Sequence, residues 1–177
     1  MTHGVLRVLE WTFFLYFLTH IPVTVFINSQ ALLPVWIYPQ MAQDVVNWYS
    51  RTFKDAMVRD GDAWYRSSIV VELLFQLPFF FVASYAFCKG GQRWIRIPAI
   101  VYSSHVITTV YYMLAEWYFG EFIQDRDFPG PESFNERVIV SMFYLPYFII
   151  PLMILTTMLF SSEYKPYDYE HGKSKYP

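Results

Sequence analysis

The stretch Ile69-Val-Val-Glu-Leu-Leu-Phe-Gln-Leu-Pro-Phe-Phe-Phe-Val-Ala-Ser-Tyr-Ala-Phe87 runs for nineteen residues with one charged side chain, Glu72. A hydrocarbon core takes about 20 residues to cross as a helix, so this stretch and its flanks are long enough to span a bilayer. A carboxyl group inside such a span costs roughly several kcal/mol, and it persists where it faces a polar cavity, a partner or a ligand. The plain alternative is a protonated Glu72 that bonds a neighbouring helix.

Composition agrees with a membrane protein. The 177 residues are 55% hydrophobic and 21% aromatic but only 16% charged, more apolar than a soluble domain of this size. The mean hydropathy of +0.24 is modest because tyrosines and polar connections dilute it. Four segments pass the length test, at about residues 9–29, 68–88, 97–118 and 138–160. In the first, Glu10, His20 and Pro22 interrupt the apolar run and no small-residue cleavage site follows, so it reads as a retained helix and not a secretory signal. The expected fold is an all-α membrane protein, a four-transmembrane-helix bundle with kinked helices and a lumenal amphipathic helical loop. It would have a short cytosolic N-terminus (1–8), one domain (9–160) and a cytosolic tail (161–177).

Orientation follows from positive charge in short loops. Lys89, Arg93 and Arg96 join the second and third helices without an acid, whereas five acids accompany Arg126 and Arg137 between the third and fourth. Both termini are then cytosolic, and Lys173 and Lys175 near the end match a dilysine-type retrieval signal for the endoplasmic reticulum. In the lumenal connection Met41, Val45, Trp48, Tyr49 and Phe53 recur at helical spacing. That pattern describes an amphipathic helix lying against the bundle or the membrane interface, as an anchor or as a lid.

Polar groups fall on helical stripes inside the spans: His20, Thr24 and Asn28; Glu72 and Gln76; Tyr102, His105, Thr109, Tyr112 and Glu116; Tyr144 and Tyr147. Pro22, Pro78, Pro146 and Pro151 lie within spans and favour a bundle that opens around a cavity. Each stripe is equally compatible with hydrogen bonds that join helices. Four stripes converging on one acid point to a pocket for a rigid lipid-like molecule with a polar or cationic end. There is no HExxH, no phosphate loop and no Cys-x-x-Cys; no cofactor, metal or nucleic acid is implied by the residues, and Cys88 is the single cysteine.

Tyr16-Phe-Leu-Thr-His-Ile-Pro-Val-Thr24, Glu72-Leu-Leu-Phe-Gln-Leu-Pro-Phe-Phe80, Trp94-Ile-Arg-Ile-Pro-Ala-Ile-Val-Tyr102 and Tyr144-Leu-Pro-Tyr147 resemble the four-helix membrane receptors of the EXPERA superfamily. The resemblance covers nearly the whole chain. It implies an endoplasmic reticulum membrane protein of cholesterol homeostasis, with nuclear envelope and endolysosomal membranes as further locations. It implies sterol or oxysterol ligands, cationic amphiphilic ligands, association with a lysosomal cholesterol transporter, and a homodimer. By the same resemblance Glu72 is the pocket acid, Gln76, Tyr102, Thr109 and Tyr147 line the cavity, Leu74 and Gln76 contact sterol, Tyr49 belongs to the lid and Asp55 holds the lid in place. His20 is a further pocket candidate.

The pattern departs from the family at Asn28, where an aspartate is expected to meet a ligand's ammonium group. One carboxyl and one carboxamide then replace an acid pair that would share a proton. Amine binding should weaken, and sterol binding, which needs only a hydrogen-bond partner, should suffer less. Two other readings stay open: a sterol isomerase like others of the superfamily, needing an acid and a base across the ring, and a structural membrane partner whose stripes join helices.

Overall fold

The structure is a computed structural model, and it describes residues 3–122 and 129–165; Lys173 and Lys175 of the expected retrieval signal lie outside them. Among the described residues the secondary structure is helical. Helix α1 (His3–Phe26) runs on into a 3-10 turn at Asn28–Ala31. A cap follows, made of a 3-10 turn at Val35–Ile37, α2 (Gln40–Thr52) and α3 (Ala56–Asp60). The quoted stretch lies in α4 (Ala63–Val71), a π-turn at Glu72–Gln76 and α5 (Leu77–Lys89). Helices α6 (Arg96–Phe119) and α7 (Phe134–Phe160) complete the bundle.

Four helical segments are long and apolar enough to cross a membrane: Gly4–Ala31, Ala63–Lys89, Arg93–Phe119 and Phe134–Phe160. Each extends past the run read from hydropathy because polar and aromatic flanks continue the helix into the interface. Residues from His3 onward are already helical, so most of the stretch read as a separate N-terminal segment is the first turns of α1. Large apolar side chains such as Leu15, Phe81 and Val101 stay exposed along the spans. Lipid surrounds them in place of water, so exposure there carries no hydrophobic cost.

The prolines act unequally. Helices α1 and α7 continue through Pro22, Pro146 and Pro151. Only Pro78 adjoins a change of helix type. It offers no N–H to the carbonyl four residues earlier, and just before it the Leu77 amide donates to the Glu72 carbonyl, five residues back. A π-turn of this kind interrupts α-helices most often at functional sites.

The helices pack as two pairs, α1 with α5 and α6 with α7. An aromatic seam joins the pairs: Tyr16 bonds Tyr102 hydroxyl to hydroxyl at 3.0 Å, and Tyr102 packs on Phe17, Phe79 and Phe80. Edge and tilted ring pairs of this kind add about 0.5–1.5 kcal/mol each beyond their buried area.

The end opposite the cap is closed by a polar knot. Buried Glu10 accepts from the Tyr164 hydroxyl at 2.6 Å, the Gly91 amide at 2.7 Å and Arg7 at 2.9 Å. Arg7 also donates to the Phe87 and Cys88 carbonyls, and Arg96 donates to the Met158 carbonyl at 3.0 Å. Gly90 is required where it stands, with φ at +76° and a Cβ that would collide with the Arg7 guanidinium. Burial and the bond to Glu10 both push the Tyr164 hydroxyl above the usual phenol range, so it stays a donor.

Glu10→Ala would strand the Tyr164 hydroxyl, the Gly91 amide and Arg7 at once. The expected loss is about 2–3 kcal/mol of stability, read as a fall of the unfolding temperature in detergent; an unchanged melting curve would refute the knot's role.

Candidate functional site

Glu72 is nine-tenths buried and lies nine residues inside the span that starts at Ala63, about 14 Å along the axis at 1.5 Å per residue. Its side chain meets the stripe of α1. Thr24 donates to Oε1 at 2.5 Å and Asn28 Nδ2 donates to the same oxygen at 2.9 Å. His20 Nε2 lies 3.6 Å from it. The i, i+4, i+8 spacing of His20, Thr24 and Asn28 stacks all three on one face of α1, and the π-turn brings Glu72 and Gln76 to face them. Both protein donors share Oε1, which leaves Oε2 for whatever fills the adjoining space.

That space is a cavity of about 590 Å³, the size of a drug-like or steroid ligand site. Its polar lining is His20, Asn28, Glu72 and Gln76 on the helix walls and Gln30, Asn47, Ser50, Arg51 and Arg59 toward the cap; aromatic Tyr65, Phe143, Tyr144 and Tyr147 supply much of the rest. The ring of His20 stacks on Phe80 at 4.6 Å and meets Tyr147 at 4.7 Å, and its Nδ1 has no hydrogen-bond partner. Val45, Trp48 and Tyr49 of α2 line the cavity at the cap end, where it is partly open.

The cap is held by a second buried acid. Asp55 is fully buried, accepts from Tyr144 at 2.6 Å and Tyr49 at 2.8 Å, and caps α3 through the Val58 amide at 2.9 Å. Burial outweighs these bonds and raises the Asp55 carboxyl above its ordinary value; burial and then the Asp55 charge raise the Tyr49 hydroxyl. Immediately before it, Lys54 adopts φ of +56°, closing α2 with a 6→1 bond from the Asp55 amide to the Ser50 carbonyl. A left-handed lysine costs of order 1 kcal/mol. It is held by a 2.6 Å ion pair with Glu136, whose other oxygen completes the capping box that starts α7.

The structure sorts the expected site residues. His20, Asn28, Tyr49, Glu72, Gln76 and Tyr147 come together on the cavity wall, and Asp55 stands behind Tyr49 and Tyr144. Three do not reach it. Leu74 lies on the outer side of the π-turn with 64% of its surface exposed, because the turn that aims Glu72 and Gln76 inward carries the residues between them outward. Thr109 spends its hydroxyl on the His105 carbonyl, and the buried face of α6 is the apolar row Val106, Val110, Met113 and Trp117. Tyr102 is buried in the aromatic seam, outside the cavity wall. Thr24 and Tyr144 stood on the expected stripes, and Tyr65, Met113 and Phe143 are lining residues the sequence reading did not single out. Tyr65 and Ile69 continue the Glu72 and Gln76 stripe at helical spacing, so that part was legible.

A four-helix membrane bundle with an acid-bearing cavity beneath a pinned cap defines the class. The EXPERA (EXPanded EBP superfamily) family model matches residues 41–158, and the chain belongs to that family. It is 46% identical over 159 residues to Sigma intracellular receptor 2 of Xenopus tropicalis, covering 90% of this chain and 92% of that one. It is 43% identical over 171 residues to the Homo sapiens protein of the same name, covering 96% of each. Efficient mitochondria targeting-associated protein 19 of Saccharomyces cerevisiae is 26% identical over 156 residues, 82% of this chain and 94% of its own.

The raised Asp55 means that the folded protein holds this proton more tightly than the unfolded chain does. Its contribution to stability is therefore present in full below the ordinary aspartate value of 3.8 and is lost as pH rises through the raised value. Stability measured from neutral to acid pH should rise over that window in the wild type relative to Asp55→Asn. Parallel pH profiles for the two proteins would rule this out.

Proposed function

We propose that the protein is an intracellular membrane receptor that holds a sterol or oxysterol in the cavity, and more weakly a cationic amphiphile, as part of cholesterol homeostasis and trafficking. The observation that carries this reading is the arrangement at Glu72: two donors on Oε1, none on Oε2, beside an apolar and aromatic space of about 590 Å³. Such a space suits a rigid ring system with one polar end. The kinship to proteins named Sigma intracellular receptor 2 supports a receptor in this location.

Asn28 shapes the ligand preference. An aspartate at this position would bring a second carboxyl to the site. Here the carboxamide spends an N–H on Glu72 and brings no charge, so attraction of an ammonium group rests on Glu72 alone. A sterol hydroxyl can bond Oε2 or the Gln76 amide whichever residue stands at 28.

The isomerase reading fits less well. An acid and a base must sit across the sterol ring from each other, whereas His20 and Glu72 are side by side, 3.6 Å apart. The apolar surroundings and the receptor relatives favour binding without turnover.

The protein would reside in the endoplasmic reticulum membrane with both termini cytosolic, the cap on the lumenal side and the tail lysines as the retrieval signal. Nuclear envelope and endolysosomal membranes would be further stations. A lysosomal cholesterol transporter and a second copy of the chain are the proposed partners, by kinship.

Binding of a radiolabelled amine and of a photoreactive sterol would be compared in three variants. Glu72→Gln should weaken the amine by about a hundredfold, the order expected for removing a desolvated charge partner. Asn28→Asp should strengthen it by about tenfold, with sterol labelling little changed. Unchanged amine affinity in both variants would sink the charge assignment, and a wild type that labels with neither probe would sink the receptor reading. Separately, Lys173→Ala with Lys175→Ala should shift a tagged protein from the endoplasmic reticulum to later compartments; an unchanged distribution by microscopy counts against the retrieval signal.

A further inference from the structure

From Trp11 to Gln43 the chain contains no Asp, Glu, Lys or Arg. The first span ends at Ala31, so twelve more residues pass before the first charge, at Asp44. This uncharged continuation is the outer surface of the cap. Leu33, Val35 and Ile37 are exposed, Trp36 is 82% exposed and Met41 75%, with Val45 and Trp48 following on the same side of α2.

The inner side of the same segment is pinned by hydrogen bonds. Tyr38 is buried with its hydroxyl 2.6 Å from Ser29, Gln43 donates to the Tyr38 carbonyl at 3.0 Å, and Gln30 donates to the Ala42 carbonyl at 3.1 Å. Its outer side is apolar and uncovered. An apolar surface of this extent is stable only against something equally apolar. Protein-docking patches facing water are rimmed by polar and charged groups, whereas residues 33–48 carry a single charge, Asp44, at the α2 end of the patch. The patch is instead continuous in sequence with the end of a membrane span, and it is led by tryptophan, the side chain enriched at the headgroup level.

We infer that residues 33–48 are seated in the headgroup and acyl boundary of the same bilayer that the four helices cross. The cap is then a partition between lipid and cavity. Val45 and Trp48 line the internal cavity and also, with Met41 and Asp44, a shallow groove on the outer face of α2. One layer of side chains separates ligand space from membrane, and lipid packing on the outer groove clamps the cap. The inference rests on exposure and charge and holds whichever ligand occupies the cavity.

The test uses the full chain in nanodiscs of phosphatidylcholine. In a Cys88→Ser background, nitroxide labels are placed by Trp36→Cys and Met41→Cys, with Val101→Cys, on the exposed face of α6, as the lipid reference and Asp60→Cys as the aqueous one. Relaxation by oxygen and by a water-soluble nickel complex reports depth. Labels at 36 and 41 should share the lipid signature, reached by oxygen and shielded from nickel. Nickel access equal to that at position 60 would place the cap in water and overturn the inference. Shielding from both reagents would mean that protein covers the patch, which also overturns it. Should labelled variants misfold, quenching of intrinsic fluorescence by bromine-labelled lipid provides the second readout: Trp36→Phe should remove a quenched component, and removal of an unquenched one refutes the membrane seat.

Discussion

A carboxyl group placed in the apolar part of a bundle must find donors, and the architecture around Glu72 is organised by that requirement. Thr24 and Asn28 satisfy it from α1, which ties the first span to the second at the depth where the quoted stretch leaves α-helical geometry. Because both donors converge on one oxygen, the requirement is met only in part. Glu72 also lines the cavity, so the wall there is more than a helix contact.

The cavity exists because the bundle is two helix pairs and not four equivalent neighbours. Below the cavity the pairs meet through the Tyr16, Phe17, Phe80 and Tyr102 rings, and below that through the knot at Glu10. Towards the cap α4 stays packed on α6 and α7 through Tyr65, Ile69, Met113, Trp117 and Val140, and α2 with α3 lies over the cavity beside them. Of the three buried acids among the described residues, Glu10 serves the far end, and Glu72 and Asp55 divide the work at this one. Glu72 faces the ligand space, while Asp55 spends its oxygens on Tyr49, Tyr144 and the first turn of α3, holding the cover on the walls. Tyr144 belongs to both systems, since it lines the cavity and donates to Asp55.

Much of this was legible in the chain. Four apolar runs of spanning length, an acid within one of them and the His20, Thr24, Asn28 stripe were enough to predict the bundle and the wall that meets Glu72. The third helix shows where such reading stops. Tyr102, His105, Thr109, Tyr112 and Glu116 form a helical row, but the row Val106, Val110, Met113 and Trp117 forms one too, and only packing against α7 decides which turns inward. In a membrane the outward face is not required to be polar, so hydropathy does not break the tie. Leu74 was named by resemblance alone; two residues after Glu72, it turns to the outer side of the span. Nor does any residue pattern announce that a lysine, at position 54, will take a left-handed conformation where glycine is usual.

The π-turn at Glu72–Gln76 has a consequence for chain length. A wider turn spends one residue more than an α-helical turn for a similar advance, so it behaves as a single-residue insertion absorbed within a helix. Deleting one residue there would restore regular winding and leave the flanking helices in nearly their present relative orientation, because the wide turn already absorbs the extra residue. Phe79 and Phe80 would keep their places in the aromatic seam, while the wide turn that sets Glu72 and Gln76 toward Thr24 and Asn28 would be gone. Helix register and pocket chemistry are thus separable at this one turn: its extra residue serves the placement of Glu72 and Gln76 and not the packing of the bundle.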